Sequence, residues 1–367
     1  MDKILLVSCG GLGNGGVQAV MMNIVRKLHN KYQFDIILFT EEKRYYDDEF
    51  ESYGGKIFRI KRYVGTNGIL KRIDKYAMDP ILMHESKRII KVNGPYLAVH
   101  CNNEYEAAPI LKAAKICRVP IRIIHSHIIN SSDNFFMKFM NSLRADTIRK
   151  TSTAQVSCSQ EAGKAFFGDI SNCVIVNNPY DEYKFISNTE TGKFDRLKII
   201  QVGSFSNIKN QLFSIEIISI IKKEYPDVIL EFVGYDIGGY LNKMKSRIKE
   251  LGLEDNIVFY PSNANIAELF TDAACFLFPS LKEGFGIVLI EAQAMGLKCF
   301  ASAQVPRTTN CGGCTYLDIA CGAEYWANAI ADFYETTKGE HRTYDVSEFS
   351  STKVAFRIER LYQGEIS

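Results

Sequence analysis

The sequence predicts an α/β protein of two domains, each a parallel sheet with helices on both faces. Short apolar runs alternate with longer stretches of helical periodicity along the chain, the pattern of parallel strands joined by crossover helices. The rhythm pauses at a polar interval, 181–196, and then starts again. A length of 367 residues also points to two domains.

Strands are expected in the first half at 3–8, 34–39, 57–60, 96–100, 121–125, 153–158 and 173–176. Helical patterns at 17–29, 77–92, 105–116, 134–150 and 159–167 separate most of them. The interval 181–196 contains Asp181-Glu182 and the polar run 187–193, and reads as a linker. Beyond it, strands are expected at 197–203, 228–234, 256–260, 274–278 and 298–301. Helices are expected at 209–224, 238–251, 264–271, 286–296 and 322–337, and a last one over about 351–362. The predicted organisation is a first domain over 1–180, a second over 181–350, and a terminal segment, 351–367. There is no internal repeat or low-complexity tract.

Composition narrows the class. With 46% hydrophobic and 23% charged residues, the chain can build sizeable cores, and disorder is not expected. No apolar run approaches the roughly 20 residues that span a bilayer. Residues 1–8 read as a first strand rather than a signal peptide. Most of the ten cysteines lie in apolar runs, as Cys275 does in 273–278, which fits reduced, buried thiols in a cytoplasmic protein. The one metal-like spacing is Cys311-x-x-Cys314, with Cys321 beyond it. No second ligand pair accompanies it, so no structural metal is expected.

The net charge of +2 hides an asymmetry of +8 over 1–180 and −6 over 181–367. The excess concentrates in 56–150, with 18 basic against 7 acidic residues. Two readings stand: a solvated basic face on ordinary helices, or contact with an anionic membrane or acceptor. Nucleic acid is not expected, because no recognition motif accompanies the charge.

After the first strand comes Gly10-Gly11-Leu12-Gly13-Asn14-Gly15-Gly16-Val17, followed by helical periodicity through Val20, Ile24 and Leu28. Glycines permit close backbone approach, and a helix N-terminus favours negative charge, so a phosphate-facing loop is one reading. Gly11, Gly13 and Gly16 also satisfy G-x-G-x-x-G, with Glu41 or Glu42 after the second strand, which would suit an NAD-dependent oxidoreductase. A tight strand–helix turn without a ligand is the third reading.

The most informative segment runs from Pro279 to Gly296, at the carboxyl end of the strand 274–278, where open α/β sheets bind ligands. Gly284 and Gly286 flank Phe285 ahead of Ile287, and their backbone amides can face a sugar or diphosphate. Glu283 stands before the turn and Glu291 on the helix after it, placed to accept hydrogen bonds from sugar and ribose hydroxyls respectively.

This segment resembles the E-x7-E motif of the family-4 retaining glycosyltransferases, which have the GT-B fold of two Rossmann-like domains facing each other across a deep cleft. Four further stretches agree. The stretch 199–211 resembles V-G-R-F-x-x-x-K-N, in which an Arg and a Lys hold the donor diphosphate; Lys209 matches, whereas Ser204 replaces the Arg. Gly15 and Gly16 fall in the family's first-domain G-G-V loop, assigned to the donor phosphates. His125-Ser126-His127 resembles its H-S-H segment, in which His125 would reach the donor sugar. The stretch 157–168 matches a fourth segment. Val176-Asn177-Asn178-Pro179 departs from the usual N-N-G-I-D.

The resemblance implies a sugar donor bound between the domains, with His125, Lys209 and Glu283 as catalytic residues. Gly15, Gly16, Ser204, Gly284, Phe285, Gly286, Ile287 and Glu291 join Lys209 and Glu283 in donor binding. It implies a hexosyl- or N-acetylhexosaminyltransferase that needs no metal or other cofactor, uses a UDP-sugar, and acts on a glycan or polyprenyl-linked acceptor in bacterial exopolysaccharide or capsule synthesis. The terminal helix would cross back onto the first domain. The missing Arg keeps a different reading open, a non-catalytic subunit that binds a nucleotide sugar without turning it over. Arg307 is the candidate replacement cation.

Overall fold

The computed structural model describes residues 1–8, 10–13, 15–61, 78–127, 135–186 and 194–366. The chain divides into two compact units. The first is Met1–Pro179 with Ser351–Ser367, and the second is Tyr180–Ser350.

The first unit holds seven parallel strands: β1 (Asp2–Ser8), β2 (Tyr32–Leu38), β3 (Ile57–Arg59), β4 (Ala98–Cys101), β5 (Ile121–Ser126), β6 (Ala154–Ser157) and β7 (Cys173–Ile175). Their spatial order is β3-β2-β1-β4-β5-β6-β7. Ile4, Leu5, Leu6 and Val7 are buried, so β1 must be covered on both faces, as the centre of a parallel sheet requires. One face packs the helix Gly16–Leu28 and the terminal helix Ser351–Tyr362 through Val20, Ile24, Ile358 and Tyr362. The other packs the helices Asp79–Asn93, Ala107–Ile116 and Phe135–Thr151 through Leu82, Ile110 and Ile148.

The second unit repeats the plan with β8 (Lys198–Val202), β9 (Ile229–Gly234), β10 (Ile257–Pro261), β11 (Cys275–Phe278), β12 (Lys298–Ser302) and β13 (Cys314–Leu317). Their order is β10-β9-β8-β11-β12-β13, again all parallel. In each sheet the chain builds outward on one side, returns to the centre and builds outward on the other. The reversal lies between β1 and β4 in the first sheet and between β8 and β11 in the second. At such a point two neighbouring connections leave in opposite directions and open a crevice at the carboxyl ends.

Among the described residues the structure adds to the expected elements the short helix Asp47–Ser52, β13, and the single 3-10 turns Arg307–Thr309, Ile319–Cys321 and Ser347–Phe349. The division between units falls at Pro179–Tyr180, one residue before the expected boundary, and again at 350–351 as expected. The polar interval read as a linker is anchored to the second unit at both ends. Tyr180 bridges to Ser350, Phe185 is buried against Phe270 at 6.1 Å, and the Phe194 N–H bonds the Lys338 carbonyl at 2.9 Å. Two phenylalanines in a polar stretch are enough to dock it. Its central part, 187–193, lies outside the described residues, as do Cys9, Asn14, and 62–77 and 128–134 of the basic stretch.

The terminal helix is bound by more than its apolar stripe. The Lys31 ammonium pairs with Glu359 at 2.8 Å, and Lys27 donates to the Thr352 hydroxyl at 2.8 Å. Ile358, fully buried in the first unit's core, carries the packing. Ile358→Ala should destabilise that unit by about 2–5 kcal/mol. Chemical denaturation checks this; an unchanged midpoint would remove the helix from that core.

Candidate active site

The second unit's reversal point is assembled by its loops. After β8, Gly203 takes φ +148°, and the aliphatic stem of Lys209 lies where its Cβ would be, with Cε 3.3 Å away. The Lys209 carbonyl accepts from Gln201 Nε2 at 2.7 Å. The loop after β11 is tied to this one. The Leu281 N–H bonds the Ile208 carbonyl at 2.8 Å, and Asn210 Nδ2 donates to the Pro279 carbonyl at 3.3 Å.

The result is a direct pair, Lys209 Nζ to Glu283 Oε2 at 2.5 Å, with side chains only 20% and 18% exposed. The ammonium also stands 4.9 Å from the centre of the Phe278 ring. Restricted solvent strengthens the pair relative to a surface ion pair. Glu283 therefore holds the cation in place.

Gly286 caps the next helix, Ile287–Ala294, in a left-handed conformation at φ +87°, which glycine adopts without strain. No side chain caps this helix, so its first amides are available to an acceptor. Phe285 is buried against Phe349 at 6.0 Å and anchors the turn. Ile287 and Glu291 lie on one face of the helix, four residues apart.

Glu291 is partly buried, and its carboxyl makes no hydrogen bond among the described residues. Burial pushes its carboxyl up to about 7; nearby Lys184 opposes the shift and Asp181 adds to it. Both neighbours belong to the interval read as a linker. Their polar character is visible in sequence, but their place beside Glu291 is not.

The Ser204 carbonyl accepts from Gln211 Nε2 at 2.9 Å, so the backbone at this position is fixed. Arg307 does not reach the pair. Its guanidinium is stacked 4.5 Å over the Tyr316 ring, in a turn after β12. Among the described residues no cation other than Lys209 touches Glu283. The Cys311–Cys314 turn is organised by Gln293, whose Oε1 accepts from the N–H groups of Cys311 and Gly313 at 2.7 and 3.1 Å. No metal-type cluster of His, Cys, Asp or Glu occurs among the described residues.

In the first unit, the glycine loop leads from β1 into the helix Gly16–Leu28, with Gly15 as an extended N-cap. Its glycines have different reasons for being there. A side chain at Gly11 would strike Arg44 and Thr40. Gly13 and Gly16 have nothing within 4 Å of a Cβ and no positive φ, so neither packing nor backbone conformation requires glycine there.

His125 lies inside the first unit. Its Nδ1 is 3.3 Å from His100 Nε2, and His100 Nδ1 is 2.8 Å from the Tyr362 hydroxyl. Its ring is 4.0 Å from that of His127. Burial holds all three imidazoles neutral, His100 down to about 3, His127 to about 4, and His125 well below the usual value, with the Val176 carbonyl opposing the last shift. His100 and Tyr362 were not singled out from sequence. Only folding brings the terminal helix to β4.

Two parallel α/β units, each with a reversal point, a glycine turn and an uncapped helix, have the GT-B fold. The comparisons agree. Residues 184–342 match the model of the family described as glycosyl transferases group 1. EpsF of Bacillus subtilis (strain 168), named as a glycosyltransferase, is 27% identical over 350 residues, which cover 90% of this chain and 87% of that one. The capsular polysaccharide biosynthesis glycosyltransferase CapH of Staphylococcus aureus is 25% identical over 77% of this chain and 76% of its own. HepE of Anabaena, solved in complex with UDP, superposes with a TM-score of 0.79 at 16% identity, covering 99% of this chain and all of that one.

The raised carboxyl of Glu291 sets a sign. In the folded protein it binds its proton more tightly than the unfolded chain does, so its favourable contribution is present below pH 4.5 and lost as pH rises to about 7. Glu291→Gln should therefore match the parent near pH 5 and be more stable at pH 8, by about 1–2 kcal/mol after discounting for partial exposure. Thermal melts at the two pH values check this; a variant less stable at pH 8 would show that the carboxylate is held by a partner.

Proposed function

We propose that the chain is a retaining glycosyltransferase that moves a hexosyl or N-acetylhexosaminyl group from a UDP-sugar to a glycan or polyprenyl-linked acceptor, in the synthesis of a bacterial surface polysaccharide. The observation that carries this reading is the Lys209–Glu283 pair at the second sheet's reversal point, beside the uncapped helix that bears Glu291. An ammonium and free backbone amides suit a diphosphate, and two carboxylates suit sugar and ribose hydroxyls. The solved complexes of HepE with UDP and UDP-glucose, and the capsular role in CapH's name, support the donor and the pathway class.

In this reading Glu283 releases Lys209 when the donor arrives and takes up sugar hydroxyls. Lys209 and the amides at Ile287 then stabilise the charge that grows on the leaving diphosphate. A leaving phosphate oxygen accepts the acceptor's proton on the face from which it departs, which retains the anomeric configuration. The chemistry calls for no metal, because cation and helix dipole supply the compensation.

Lys209→Ala should lower turnover by about 10²–10³-fold while leaving the fold intact, because its partner is charge developed in the transition state. UDP release from a panel of UDP-sugars with a lipid-linked acceptor measures it; near-parent turnover would refute the role. Ser204 favours the second reading, a nucleotide-sugar-binding subunit without turnover, since a hydroxyl cannot replace an arginine's bidentate grip. UDP binding without release from any donor would select that reading.

The basic excess supports a membrane partner. The helices Asp79–Asn93, Ala107–Ile116 and Phe135–Thr151 pack side by side. Their carboxylates are each held by an arginine: Asp79 by Arg144, Glu85 by Arg88, and Asp146 by Arg149. Lys87, Lys91, Lys112, Lys115, Lys138 and Lys150 have no carboxylate partner among the described residues. Ile81, Val92, Ile116, Phe139 and Leu143 are exposed on the same helices, between 47% and 71%. No helix among the described residues is long and apolar enough to cross a membrane. Lysines around exposed apolar side chains suit the surface of an anionic leaflet, at about 1 kcal/mol per cation near it. Cosedimentation with acidic-lipid vesicles should be strong at low salt and fall at high salt. A protein that stays in the supernatant at low salt would overturn this partner.

A further inference from the structure

The first unit's reversal point carries polar groups that its own fold leaves unused. Asn102 and Asn103 follow β4 there, and the Asn102 N–H continues the ladder to the Val7 carbonyl at 2.9 Å. His127 draws two loops together, with Nε2 3.1 Å from Asn102 Oδ1 and Nδ1 2.9 Å from Asn178 Oδ1. Asn103 is different. It is 5% exposed, and neither its Oδ1 nor its Nδ2 has a hydrogen-bond partner. Asn177 Oδ1, beside Asn178, is likewise buried without a partner.

Buried amides without partners are rare, because each unpaired group costs about 1–3 kcal/mol. A cost kept at the edge where parallel sheets bind ligands points to a ligand. Gly13 and Gly16, in the loop that leaves β1 at the same reversal point, have open space that neither packing nor backbone explains. The Asn103 amide is itself uncharged and offers an acceptor oxygen beside donor hydrogens. Such a set matches a molecule rich in hydroxyls, which offers a donor to Oδ1 and an acceptor to Nδ2, rather than a phosphate.

We propose that Asn103, at the carboxyl edge between β1 and β4, is a sugar-recognition residue that binds a pair of hydroxyls on a hexose. Asn102 and Asn178, joined through His127, hold together the two loops at that edge. The hexose belongs either to the donor or to the acceptor. This extends the glycosyltransferase reading by naming which residue of the first unit reads the sugar.

Asn103→Leu and Asn103→Asp test it with three readouts. UDP affinity should equal that of the parent in both variants, because UDP carries no hexose. If the hexose is the donor's, UDP-glucose should lose about tenfold in affinity relative to UDP; if it is the acceptor's, the acceptor KM should rise about tenfold with UDP-glucose affinity unchanged. Independently of any sugar, Asn103→Leu should raise the melting temperature of the unliganded protein, since it removes an unsatisfied buried amide. A lowered melting temperature would mean that the amide is structural and would overturn the proposal. Parent-like UDP-glucose affinity and acceptor KM in both variants would also overturn it, while leaving the glycosyltransferase reading intact. Absence of UDP release from the parent would bear on that reading alone, and the melting and binding arms would still decide Asn103.

Discussion

Every strand in both sheets runs parallel to its neighbours, and the rest of the architecture follows from that constraint. Parallel strands end on one edge, so the loops that can carry chemistry gather there, and the helices that return the chain must cover both faces. The sheet order then decides which loops meet. Between β8 and β11 the two loops diverge, and hydrogen bonds accepted by the Ile208 and Pro279 carbonyls close the distance enough for Lys209 to reach Glu283. Between β1 and β4 the same reversal places Asn102 and Asn103 at the edge from which the glycine loop departs.

Both edges keep groups that would be cheaper to bury as hydrocarbon. Glu291 is pushed up to about 7 because burial penalises its charge more than Lys184 relieves it. Asn103 lacks any partner for its amide. By contrast, Gln293, only two residues from Glu291, has four hydrogen bonds, three of which fasten its helix to the turn before β13. Within one helix one amide is fully used by the fold, while the Glu291 carboxyl makes no hydrogen bond among the described residues. The same contrast separates His127, bonded on both nitrogens, from Asn103.

The buried histidines show how the first unit's core reaches its edge. Tyr362 on the terminal helix touches His100, and His100 touches His125. Three imidazoles stay neutral there because burial removes the water that would stabilise their charge. A helix that is last in sequence thus fixes the orientation of a ring on a central strand.

Read alone, the sequence determined the elements and the second unit's site. Period-two and period-3.6 patterns are local, so apolar runs such as 274–278 mark strands wherever the chain takes them. The segment from Glu283 to Glu291 is likewise contiguous, and its glycines and acids declare a strand–turn–helix without help from the rest of the chain. Tertiary structure alone decided what depends on distant partners. Asp47–Ser52 and β13, of six and four residues, are too short to show a period. The interval 181–196 looked like a linker because its two phenylalanines find their burial against Phe270 and near Lys338, far along the chain. Lys184 beside Glu291, Tyr362 on His100 and the unpaired amide of Asn103 are facts about which loops meet at a sheet edge. Periodicity is local and cannot carry them, because strand order is set by long-range packing.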